Sequence, residues 1–447
     1  MTVLREMAEY LASSPERSLS PATRQRLSIH VLDTIGSWIA GRSTDEGRKL
    51  SSLTSATPTS VPLLRKDPLD RITLGVATVR LTETDDIHMA SCTTPSSVIV
   101  PTALTIAAQS ETPNVEAFAR ALRAGYEIMT RFGVAIGGPH IVYRGVWPTY
   151  FAAPITSAAV TAGMLELDVS KTANALSLAL SLTSGALGAP RGLSPRWLLL
   201  GLAARNGCTA ALMAGEGYAG DQTLLDGDWI MRTHGVSCDV AQLSPSDWGS
   251  NTTDTISLKP YCAAKQCISA IEAFRNLLQQ GVQPEEITAV RIHVPSEYAA
   301  MIAHTHAADG RVPRITSAAY NLALMAHHPN ELCDISRTDL TADPQVASFV
   351  SRVNVFPDDE LSKFYPERWG ARVELELQNG RSVSHTRLDA PGDPASAINT
   401  TGAVDKFHRL TDEIIGRGKS TEIERACLGS IEQSELLSQL CVWSCRL

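Results

Sequence analysis

The hydrophobic period of this chain changes twice, and no other feature constrains its fold as tightly. Up to about residue 264 the apolar residues recur at helical spacing. Leu27, Val31, Leu32, Ile35, Trp38 and Ile39 mark one face of a helix that opens at Ser20-Pro21 and is expected to end at Gly41. Val115, Phe118, Ala119, Leu122 and Met129 mark another, and Asp168 or Ser170 caps a third. Alternation then takes over: Ile287 to Pro295 (ITAVRIHVP) reads as a strand. Arg372 to Ser384 reads as a hairpin with Asn379-Gly380 in a type I′ turn, and Ser348 to Phe356 as a further strand. After the linker Ala390 to Pro394 the helical period returns and holds to the C-terminus. The pattern predicts a mainly α protein. A large all-helical domain is built from both chain ends (residues 1–264 and 399–447), with a smaller α+β domain (265–398) inserted.

Charge narrows the classes of function. The net charge is −8 and the isoelectric point about 5.8, with no run of Lys or Arg. That balance argues against nucleic acid and against anionic membrane surfaces as partners. The first residues, MTVLREMAEYLA, carry charge through their apolar positions and read as a helix rather than a signal peptide. The low-charge stretch from Ala173 to Pro190 is interrupted by polar residues and reads as a buried helix. Nine cysteines without a C-x-x-C pair fit reduced thiols and a cytoplasmic location. His304, His306, His327 and His328 lack acidic or cysteine company at ligand spacing, so no metal is expected. No phosphate loop, dinucleotide fingerprint or nucleophile elbow occurs, and no cofactor is expected.

The densest chemistry lies between Ala77 and Ala108, where Arg80, Glu83, Asp85, Asp86 and His88 fall within nine residues, flanked by apolar segments. Two readings fit: a polar loop held against a cleft, or a capped turn with its carboxylates in water. Further on, Glu127 and Arg131 stand four apart and predict an ion pair along one helix.

The run TETDDIH, followed by Thr94-Pro95-Ser96, resembles the acidic loop of the MmgE/PrpD family, which reads H-x-x-D-x-D-D-T-H and then H-P-S. Further stretches resemble family motifs in the same order. These are the opening helix HVLDTIGSWIAG, Gly125-Tyr126-Glu127 with Arg131, Arg144-Gly145 with Pro148-Thr149, Arg196 to Gly207, and Leu258 to Lys265. The departures are Arg80 for the first His, Glu83 for the first Asp and Ile87 for Thr. Thr94, Trp147 and Ile268 stand where the family has His, and Arg196 stands where it has Lys.

The resemblance implies the same two-domain arrangement, a homodimer, and acid–base chemistry on a small polycarboxylic acid. Family activities include 2-methylcitrate dehydratase, cis-aconitate decarboxylase and iminodisuccinate epimerase. Carboxylate substrates need cations, and the motif positions supply Arg80, Arg144, Arg196, Lys259 and Lys265. Asp85, His88, Trp147 and Tyr150 complete the expected binding residues. Three missing histidines disfavour a dehydratase-like site, whereas moving a proton between two faces of a carbon needs only an opposed acid and base. On this reading the chain is nearest the epimerase branch, with Lys265 and Tyr143 as the pair and Tyr150 as the second choice of tyrosine. A dehydratase or decarboxylase of a citrate- or aconitate-like acid is the alternative, and a non-catalytic polycarboxylate-binding protein the alternative of another class.

Overall fold

A computed structural model of the chain describes residues 1–12, 19–53, 67–184, 195–245, 248, 252–305, 311–337 and 339–446. These residues fall into two compact units, one of residues up to 184 with 195–256 and 399–446, the other of residues 257–398.

The first unit is helical, and its helices begin where short polar side chains satisfy the exposed first-turn N–H groups. The Ser20 hydroxyl accepts from the Thr23 N–H at 3.1 Å ahead of helix Pro21–Ser43. Asn114 caps Val115–Ala135, and Asp168 caps Val169–Ser181 at 2.9 Å. Gly41 lies inside the first of these helices instead of ending it. The Thr78 carbonyl sits 2.4 Å from where its Cβ would be, so the glycine serves close packing.

Helix Pro195–Gly215 packs against Pro148–Met164, Pro68–Arg80 and Val169–Ser181. Gly201 and Gly207 let it meet backbone directly: a Cβ at either would lie 2.1 Å from the Thr73 carbonyl or 1.9 Å from that of Pro154. Among the described residues its span Arg196–Gly215 is the one helix long and apolar enough to cross a membrane by length and composition. Here those small apolar residues carry helix–helix contacts. Helix Thr400–Ile415, the first after the second unit, returns against Pro21–Ser43, placing Phe407 and Leu410 beside Gly36.

The second unit is an α+β body. Its four strands run in the order Val353–Pro357, Ile287–Val294, Ala371–Leu377, Ser382–Arg387. The first pair is parallel (Val290 opposite Val353); the others are antiparallel (Ile292 opposite Val373, Val373 opposite His385). Strand Ala371–Leu377 alternates buried and half-buried residues along its length, and helix Lys265–Gln279 lies against it. Two local expectations change. The segment from Ser348 is the end of helix Pro344–Val350, and extended structure starts only at Val353. At the hairpin, Gly380 has φ +79° but Asn379 is not left-handed, so the turn is not type I′. Leu377 faces Arg381 across a three-residue loop closed by the left-handed glycine.

Candidate active site

The acidic stretch folds as a loop between helices Pro68–Arg80 and Ser96–Ala107, and its carboxylates are buried rather than in water. Neighbouring helices hold it at two points. Asp86 accepts from the Ser96 N–H at 3.1 Å and from the Ser96 hydroxyl, which also meets the Tyr126 hydroxyl, while His30 Nδ1 lies 3.3 Å away. Burial, with the Asp86 charge adding to it, pushes the Tyr126 phenol well above its ordinary range, so it stays a neutral hydrogen-bonding group. At the second point Lys406 Nζ donates to the Thr84 carbonyl at 2.7 Å and pairs with Asp33 at 2.5 Å. Asp33, Asp86, Tyr126 and Lys406 thus shape the loop.

The loop presents Arg80, Glu83 and Asp85 to one another. Arg80 Nη1 lies 2.9 Å from Glu83 Oε2 and 3.2 Å from Asp85 Oδ1. The other Glu83 oxygen, Oε1, accepts from Arg196 Nη2 at 2.9 Å. Both guanidinium carbons also lie over the Trp147 ring, at 5.3 Å for Arg80 and 5.6 Å for Arg196. Arg80 and Glu83 are each 6 % exposed. Burial alone would lower the Arg80 pKa; the Asp85 and Glu83 carboxylates more than offset it and raise it above the ordinary arginine value. Glu83 holds this position with φ +59°, a left-handed conformation that costs a residue with a Cβ about 1–3 kcal/mol.

His88, near the end of the loop, is a neutral imidazole. The Ser91 N–H donates to its Nδ1 at 3.3 Å and the Ser91 hydroxyl lies at 2.8 Å, which leaves the proton on Nε2. Its pKa falls to about 4, chiefly through burial, with Arg131 acting in the same direction against Asp86. Thr94, in a family histidine position, donates its N–H to the Thr149 hydroxyl at 3.2 Å and helps seat the start of helix Pro148–Met164.

Of the residues expected in a site, the structure therefore joins Arg80, Asp85, Trp147 and Arg196: Asp85 pairs with Arg80, Glu83 links the two arginines, and both lie over Trp147. Arg144 stands apart, exposed, donating to the Gly235 carbonyl at 3.1 Å. Tyr150 is buried, with its hydroxyl 2.5 Å from that of Ser184. The side chain of Tyr143 lies outside the described set, as does His306. Glu127 and Arg131 form the expected pair along one helix, at 2.8 Å.

In the second unit, Lys259 is buried at the start of the Leu258 to Lys265 segment. Lys265 Nζ sits against both oxygens of Asp393, at 2.6 and 2.7 Å, and the pair is about 2 % exposed. Its neighbour is thus a carboxylate. Asp393 also accepts from the Ala390 N–H at 2.8 Å, which ties the 390–393 turn to the helix that Lys265 begins.

Sequence reasoning passed over Glu83, the residue that joins the two arginines. Its signal was present: it lies three residues after Arg80 and was visible as a departure from the family pattern. Asp393 and Lys406 carried no local signal, since their partners are 128 and more than 300 residues away.

Among the described residues no group of three or more His, Cys, Asp or Glu side chains is placed to hold a metal ion, and the nine cysteines are unbridged. What the first unit offers is a pair of guanidiniums, Arg80 buried and Arg196 half-buried, shared by one carboxylate. Comparison with known proteins matches the MmgE/PrpD N-terminal domain over residues 5–236 and the MmgE/PrpD C-terminal domain over residues 261–430. A cis-aconitate decarboxylase-like protein, oryM, of Aspergillus oryzae is 25 % identical over 407 residues, covering 84 % of this chain and 82 % of its own. A cis-aconitate decarboxylase of Aspergillus terreus is 24 % identical over 385 residues, covering 79 % and 76 % respectively. Two domain matches in the right order span most of the sequence, so the ordered motifs and the helical unit with its α+β companion have one explanation: the chain belongs to the MmgE/PrpD family.

Proposed function

We propose that the chain is a lyase that releases carbon dioxide from a small citrate- or aconitate-like tricarboxylic acid. The observation that carries the reading is the pair of guanidiniums, Arg80 and Arg196, closed about one carboxylate over the face of Trp147. Planar forks of this kind match carboxylates bidentately and hold them in a fixed orientation. The relatives named as cis-aconitate decarboxylases support the same class of substrate.

Decarboxylation asks for less acid–base machinery than dehydration. The carbon–carbon bond to the departing carboxylate breaks, its electron pair stays on the skeleton and spreads through the adjacent unsaturation, and a proton returns to carbon. No hydroxide leaves, so histidine is not required at positions 94, 147 and 268. A proton donor is required, and within the first unit His88, with its proton on Nε2, offers an N–H to a carboxylate or a developing charge.

The second reading is an epimerase of an amino- or imino-polycarboxylic acid, for which the family resemblance nominates Lys265 and Tyr143 as acid and base. The substitution of Thr94, Trp147 and Ile268 for family histidines favours it. Proton NMR in deuterated buffer separates the readings. A decarboxylase given cis-aconitate releases carbon dioxide and leaves one deuterium on the product carbon. An epimerase given an imino- or aminodisuccinate exchanges the Cα proton without loss of mass. Binding without exchange or mass loss would sink both and leave a polycarboxylate-binding protein.

A further inference from the structure

Four positions at which this chain departs from the family pattern, Arg80, Glu83, Trp147 and Arg196, are in contact with one another. They come from three separate segments of sequence, so their contact makes them one altered unit. At its centre is Glu83, one methylene longer than the Asp of the pattern. Each of its oxygens meets a different guanidinium at 2.9 Å, the arrangement a ligand carboxylate would adopt between two arginines. Asp85 supplies a second negative charge, so among the described residues two arginines meet two carboxylates and their charges balance. Two further observations mark the Glu83 position. Its backbone is held left-handed at φ +59°, a conformation that persists only where the surroundings enforce it. Arg80 Nε, buried with the rest of that side chain, has no hydrogen-bond partner among the described residues.

We propose that Glu83 is a built-in occupant of a carboxylate-binding position between Arg80 and Arg196, and that an incoming polycarboxylate takes its place. Exchange keeps the charge balance, since one carboxylate replaces another, and it releases the left-handed backbone from the contacts that fix it. It also confines tight binding to ligands whose remaining carboxylates hold other groups, because a single carboxylate gains nothing over Glu83 itself. The exchange rests on the polycarboxylate reading for its natural ligand, but the position can be tested without that ligand.

Glu83→Gly suits the first test, because glycine accepts the left-handed backbone while removing the side chain. In this variant acetate fills the vacated position and raises the melting temperature by about 2 °C or more. Acetamide, or chloride at equal ionic strength, does not, and wild-type protein shows no acetate effect. Failure of acetate to act selectively on Glu83→Gly overturns the proposal. Glu83→Gln retains the volume and removes the charge. With the unreactive tricarboxylate tricarballylate, calorimetry should show this variant binding roughly tenfold or more tighter than wild type, because a weaker occupant is displaced. Equal or weaker binding means that Glu83 only orients the arginines, and the exchange is wrong. Acetate rescue combined with no tricarballylate binding by either protein would leave the carboxylate position standing and remove the tricarboxylate reading.

Discussion

At the scale of single residues, the two cationic groups over Trp147 and the neutral His88 carry the sharpest expectations. Arg196 both pairs with Glu83 and stacks on Trp147 and Trp197, the latter with its guanidinium carbon 5.1 Å from the ring centroid. A lysine there keeps the charge but loses the fork and the stacking. Arg196→Lys should therefore weaken tricarballylate binding about tenfold in calorimetry, with the fold retained. An unchanged affinity would place the ligand elsewhere. For His88 the sign follows from burial. Its folded value near 4 lies below its ordinary value of 6.5, so between them the unfolded chain holds a proton that the folded chain does not. Stability present above about pH 6.5 is then lost as the pH falls toward 4, by on the order of 1–3 kcal/mol. Urea titrations of wild type and His88→Gln across that window check this. The variant should show the shallower dependence on pH.

At the scale of elements, the acidic loop is positioned by helices distant in sequence. Lys406, on helix Thr400–Ile415, neutralises Asp33 on Pro21–Ser43 and ties Thr84 in place. Burial raises the Asp33 pKa, while Lys406 opposes the rise. Lys406→Met would strand that carboxylate and should cost about 3–5 kcal/mol in denaturant unfolding. Adding Asp33→Asn should recover much of the loss; a double variant no better than the single would show that the pair is not the cause. The close meeting of helices Pro195–Gly215 and Pro148–Met164 makes a separate prediction. Gly207→Ala places a methyl group against the Pro154 carbonyl and should destabilise by about 1–3 kcal/mol, because backbone rather than a flexible side chain must yield.

At the scale of the whole molecule, residues 257–398 have the features of an inserted domain. Their ends approach each other: the Leu258 N–H donates to the Gly392 carbonyl at 3.0 Å, and Ile398 packs against Gly392. The Lys265–Asp393 pair closes the same region. Expressed alone, this segment should melt cooperatively and give a dispersed amide spectrum, and Lys265→Met should lower its melting temperature. A chain without near-ultraviolet dichroism would mean that it needs the helical unit to fold.

The sequence by itself determined the classes of structure, because period and capping are local. The helix starts at Ser20 and Asp168, the strand Ile287–Val294, the Glu127–Arg131 pair and the return to helix after Pro394 are each set by residues close together in the chain. The family was legible for a related reason, since a series of short motifs in order survives at low identity. Turn geometry and burial were less legible. Asn379-Gly380 suits more than one loop, and whether a charge-rich stretch faces water depends on what is packed over it. Only the tertiary structure decided that Asp85 and Asp86 are buried and paired, that Asp33 belongs to Lys406, and that Lys265 faces a carboxylate. It alone brought Arg80, Glu83, Trp147 and Arg196 together. A buried charge is stabilised by a partner within a few ångströms, and the chain reaches that partner by folding, at sequence separations that no local pattern records.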